Sequence, residues 1–134
     1  MMQLEDLEKT AQEDLQWDIS DCDIVCLKIP SLKAKWCAML YKAEIESKSI
    51  SLQLKAVYAR LHEAYLSGNK INTIVDRRDV DIYITGDDKY IAIYARQALA
   101  KETCKYIEGV LRGIDSMSFS ISSAVKWHVF KNGG

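Results

Sequence analysis

Trp36, Leu40, Ala43, Ser47, Ile50, Leu54, Val57, Leu61 and Ala64 recur at alternating spacings of four and three residues, a heptad seam with one polar break at Ser47. Such a period fits only a long amphipathic helix. Pro30 and Ser31 are residue types that open helices, and Leu66-Ser67-Gly68 supplies a glycine suited to the left-handed position that closes one. At 1.5 Å per residue the rod would be about 54 Å long. A small monomer has too little surface to bury one side of such a rod, so partner helices or partner subunits are implied.

The whole chain is short. With 134 residues it has room for one domain with a real core. No apolar run approaches the roughly 18 residues of a membrane span, and the N-terminal "MMQLEDLEKTAQEDL" is acidic where a secretory signal is basic and then apolar. The chain is therefore expected to stay in the cytoplasm where it is made. Cys22, Cys26, Cys37 and Cys104 form no CxxC pair and meet no histidine cluster, so reduced, mostly buried thiols are expected. The net charge of −1 conceals an asymmetry. Residues 1–27 carry eight acids against Lys9, and residues 28–70 carry eight bases against Glu44, Glu46 and Glu63. A basic segment beside an acidic one points to an anionic partner, or to an acidic arm laid over a basic face of the same or a neighbouring subunit.

Ahead of the rod, Leu4, Leu7, Ala11 and Leu15 mark an acidic amphipathic helix over 3–17, while 18–29 reads as a connector or a further helical piece. After it, 69–78 is a polar loop. Then "DVDIYIT-GDD-KYIAIY" predicts a β-hairpin, with Val80, Ile82 and Ile84 alternating against Asp81, Tyr83 and Thr85 and with turn residues at Gly86-Asp87-Asp88. A second helix is expected from Ala95 to about Arg112, with Gly113 ending or kinking it. The tail reads as a last helix carrying Phe119, Val125 and Phe130, with a strand over Met117, Phe119 and Ile121 as the alternative. The fold class is thus mainly α: a long-helix subunit with one hairpin and C-terminal helices.

No GxxxxGK[ST] or GxGxxG sequence is present to cradle a nucleotide. His62 and His128 have no Cys, Asp or Glu at ligand spacing, and the Asp79-Asp81 and Asp87-Asp88 pairs suit strand-edge and turn solubility better than a metal. Neither a cofactor nor catalysis is expected. Binding remains, and its candidate surface is the polar side of the long helix: Lys48, Lys55, Tyr58 and Arg60, with Lys70 just beyond. Cations neutralise phosphates and a tyrosine ring stacks on an unpaired base, the sequence-tolerant combination used for single strands. The simpler alternative is a solvated face whose cations favour the helix C-terminus.

Four features in order resemble UvsY, the recombination-mediator family of tailed phages: "LEDL" leading an acidic helix, Lys35-Trp36 opening the long helix, "ARL…YLSG" closing it, and a strand-turn-strand running into C-terminal helices. The resemblance covers essentially the whole chain. It implies an accessory protein, not an enzyme, that binds single-stranded DNA and helps load a UvsX-like phage recombinase onto strands coated by the phage single-stranded-DNA-binding protein, in the cytoplasm of the infected host. It also implies a ring-like or open-barrel homo-oligomer of about seven subunits. Residues 1–70 would bind DNA and 71–134 would oligomerise. The family's DNA-contacting "KARL" is matched here by Ala59-Arg60-Leu61, with Tyr58 where the lysine stands and two extra residues before the "SG". Arg60 is the carried-over contact, and Lys55, one turn before Tyr58, is a replacement cation. A non-catalytic adaptor that docks proteins but not DNA is the competing reading.

Overall fold

The computed structural model describes residues 3–133, and every regular element among them is helical. In chain order these are α1 (Leu4–Asp14), a 3₁₀ turn (Ile19–Asp21), α2 (Cys22–Leu66), α3 (Val80–Thr85) and α4 (Asp88–Lys131). The chain divides into two compact units, one of residues up to Ala43 together with those from Thr103 onward, the other Glu44–Glu102.

In the first unit, α1 buries Leu7 and Ala11, the middle of its predicted stripe, against Trp36, Ala43, Ile107, Val110 and Ile114. Asp14 ties the end of α1 to α2. Its Oδ2 accepts from the Trp36 indole Nε1 at 2.9 Å and from Lys35 Nζ at 2.8 Å, so the one polar atom of a fully buried ring is satisfied. The acidic arm thus does meet a base of the following segment.

The long helix starts eight residues before its predicted origin. Asp18 caps the 3₁₀ turn by accepting the Ile19 N–H at 2.7 Å, and that turn runs directly into α2, leaving Pro30 inside it. Proline removes one backbone donor and crowds the preceding turn. Packing holds the helix together across that defect. Cys22, Val25, Ile29 and Leu32, spaced three or four apart, close on Met117 and Ile121 of α4, while Pro30 itself faces outward. The predicted seam is otherwise what the helix uses: Trp36, Ala43, Ile50 and Leu61 are buried, and the positions between them are half-buried.

The predicted hairpin is not there. Residues 80–85 form α3 and residues 88–94 open α4, with no strand among the described residues. A strand would send Val80, Ile82 and Ile84 to one face, whereas Val80 and Ile84 are buried and Ile82 is 70% exposed. That is the i, i+4 signature of a helix. The core of the second unit explains the choice: Val80 and Ile84 fit beside Leu61, Tyr65 and Val75. A two-stranded ribbon would have left both edges unpaired, whereas helices satisfy their own backbone groups. Gly86 ends α3, and the acid read as a turn residue begins the next helix, Asp87 Oδ1 accepting the Lys89 N–H at 2.9 Å. Gly113 does not end α4; the helix continues through it, and Leu15 Cδ1 comes within 3.5 Å of where its side chain would begin. The tail is helical to Lys131.

Candidate nucleic-acid interface

All five sequence-selected residues belong to the second unit, and the helix distributes them unevenly. Lys48 and Lys55, seven residues apart, are exposed on the side of α2 turned away from the seam. Tyr58 and Arg60 are two residues apart, hence about 160° apart around the helix axis, on opposite flanks of the seam.

On Tyr58's flank the environment is protein. Its hydroxyl donates to Asp81 Oδ1 at 2.9 Å, its ring meets Tyr90 edge-on at 6.3 Å, and the half-buried side chain packs on the second unit's core. The bond to Asp81, together with burial and the negative charge beside it, holds the phenol above its usual range. Tyr90 in turn stacks on Tyr94 at 6.0 Å, and Tyr58 faces His62 at 6.2 Å, so the four rings run on from one another across α2 and α4.

On the other flank Arg60 is exposed and, among the described residues, makes no ion pair. It lines a groove with Val57, Leu61, Ala64, Lys70 and Lys89. Three cations thus come from three places in the chain: the last turns of α2, the loop after it and the first turn of α4. Gly68, at φ +77°, makes this possible by ending α2 in a left-handed turn; its N–H reaches the Tyr65 carbonyl and the Asn69 N–H the Ala64 carbonyl, a paired closure that satisfies the last α2 carbonyls.

Asp87 contacts two of the groove's three cationic residues, the Lys70 ammonium and the Lys89 backbone N–H. It is buried, and its Oδ2 accepts from the Tyr65 hydroxyl at 2.8 Å and lies 3.5 Å from Lys70 Nζ. Burial pushes its carboxyl upward, but the Tyr65 hydroxyl, the Lys89 N–H and the Lys70 ammonium together outweigh that and hold it below the ordinary carboxylate value. The structure therefore joins Arg60 to Lys70, separates both from Tyr58, Lys55 and Lys48, and adds Lys89. Sequence reasoning passed over Lys89 because a hairpin put it at the start of a strand. Reading "GDDK" as a stop, a cap and a first turn would have found it.

A family model described as "Recombination, repair and ssDNA binding protein UvsY" matches residues 10–134. The chain belongs to the UvsY family. The solved structures agree on the fold of this UvsY-family chain. Crystal structures of the recombination mediator protein UvsY of bacteriophage T4 superpose with TM-scores of 0.86 in two lattice forms, at 19% identity in each. In one the match covers 99% of this chain and 100% of that one, in the other 97% and 99%. A further lattice form gives 0.75 at 23% identity over 98% of this chain and 100% of that one. No curated protein matches the sequence significantly. No helix among the described residues is long and apolar enough to cross a membrane, and no group of three or more His, Cys, Asp or Glu among them is placed to hold a metal ion.

Proposed function

We propose that this UvsY-family chain is a single-stranded-DNA-binding recombination mediator. In this reading it helps load a UvsX-like recombinase onto DNA coated by single-stranded-DNA-binding protein, in homologous recombination and in recombination-dependent replication and repair, within the infected host. It works as a ring-like homo-oligomer of about seven subunits, so that one modest cationic patch is multiplied into an avid surface. The observation that carries the reading is Arg60: exposed and without an ion pair among the described residues, inside the "ARL" that matches the family's contact. Lys48 and Lys55 extend the positive field along α2. Tyr58, tied to Asp81, serves that surface as a support for α2 unless it releases that bond to stack on a base.

Fluorescence anisotropy with a labelled oligothymidylate tests this. Affinity should fall steeply between 50 and 200 mM salt, as expected where phosphate contacts release counterions (~0.7 in log–log slope per contact on a single strand). Arg60→Ala should weaken binding several-fold with no change in oligomer mass. Absence of binding at low salt would overturn the reading and leave a protein-docking adaptor.

A further inference from the structure

Arg60, Lys70 and Lys89 do more than add charge to a face, because all three line one groove. We infer that the groove they line is a discrete seat for one phosphate group, and that Lys89 is a DNA-contacting residue of this protein. The inference rests on the proposed function and specifies where one phosphate of the strand sits.

Several features make the groove a seat rather than part of a diffuse field. Its three cations come from segments far apart in sequence yet border one concavity, whose remaining lining, Val57, Leu61 and Ala64, is apolar. An apolar wall keeps water from one side of a bound anion and lowers the local dielectric, so each cation counts for more than on an open helix face. Arg60 brings a planar fork of donors and the two lysines bring point charges, complementary ways of meeting phosphate oxygens. Neither Arg60 nor Lys89 is neutralised by an ion pair among the described residues. Glu63, one turn along from Arg60, does not pair with it. Only Lys70 has a carboxylate partner, and at 3.5 Å that contact is long for a charge-assisted bond. Asp87 is already met by the Tyr65 hydroxyl and the Lys89 N–H, so Lys70 can turn toward a phosphate without leaving a buried carboxylate bare.

Arg60 and Lys89 also lie on either side of the segment 67–87, which holds the loop after α2, α3 and the turn into α4. Their approach depends on Gly68 and on the Asp87 cap, which explains why neither residue predicts the other in sequence.

The test uses Lys89→Gln, Lys89→Arg, Arg60→Ala and the Lys89→Gln/Arg60→Ala double variant of the full chain, with labelled oligothymidylate over a range of salt. Lys89→Gln should weaken binding about three- to tenfold and lower the salt slope by about 0.7 for each subunit engaged, and Lys89→Arg should retain binding. Two residues on one phosphate should be non-additive, the double variant losing less than the product of the single losses. Inorganic phosphate should displace the oligonucleotide better than chloride at equal ionic strength. If Lys89→Gln binds like the parent while Arg60→Ala does not, the seat is wrong and the proposed function stands. If the parent itself fails to bind, both fall. Equal competition by phosphate and chloride would mean a diffuse field and overturn the seat. Thermal melts separate a binding loss from unfolding.

Discussion

Asp87 shows how one side chain serves both a fold and a site. Its carboxylate caps α4 through the Lys89 N–H, satisfies the buried Tyr65 hydroxyl and steadies Lys70. Asp87→Ala removes a cap worth about 1 kcal/mol and strands a buried hydroxyl at a further ~1–3 kcal/mol. We expect urea unfolding to register a loss of about 2–4 kcal/mol, whereas Tyr65→Phe, which leaves Asp87 its other donors, should cost about 1 kcal/mol. The pH dependence follows from the direction of the shift. A carboxyl held below its ordinary value in the folded chain contributes stability above the unfolded-state value of 3.8 and loses it as pH falls through the lower folded-state value. Acid unfolding monitored by circular dichroism should therefore be shallower in Asp87→Asn than in the parent.

Among the elements, α2 carries two features of opposite sign. Pro30 sits on the exposed side of a continuous helix, where alanine would restore a backbone donor. Pro30→Ala should raise stability by about 1–3 kcal/mol, less the entropy that proline removes from the unfolded chain, and should raise the melting temperature. Gly68 is the reverse case. At φ +77° a side chain is strained, and a Cβ there would come 3.3 Å from Ile74 Cγ1, so Gly68→Ala should cost about 1–2 kcal/mol and lower the melting temperature. "VDIYIT" alternates as a strand does, but alternation over six residues also contains an i, i+4 pair, and the element adopted was the one whose pair reached a core.

At the scale of the whole molecule, the long seam predicted partner helices or partner subunits, and the chain supplies helices of its own: Trp36 and Ala43 are buried with Leu7, Ile107 and Ile114, and Leu61 with Val80 and Ile84, while apolar side chains off the seam stay exposed. Leu27 is 82% exposed, Phe119 81% and Phe130 76%, with Trp127 stacked on Phe130. Exposed side chains of this size are what contact with a further copy of the chain would cover. If the proposed ring forms, light scattering should give a mass several times 15.2 kDa, and Phe119→Asp with Phe130→Asp should reduce it while leaving helix content unchanged. A monomeric mass for the parent would count against the assembly. Binding by that monomer would then need a tighter patch than one subunit's cations supply.

Periodicity was enough to read α1, the seam of α2 and the helical tail, because a helix's backbone bonds are local and its buried face repeats in the sequence. The same locality made Arg60 legible as a candidate, since it lies inside a recognisable motif on a helix of known phase. What lay beyond reach depended on contacts between distant residues. The turns before Pro30 are held by Met117 and Ile121, the helix at 80–85 is held by Leu61, Tyr65 and Val75, and Lys89 meets Arg60's groove only after Gly68 and Asp87 have turned the chain. Spacing along the chain sets which residues share a face. Which faces meet, and so which charges share a site, is set by packing, and only the tertiary structure holds that information.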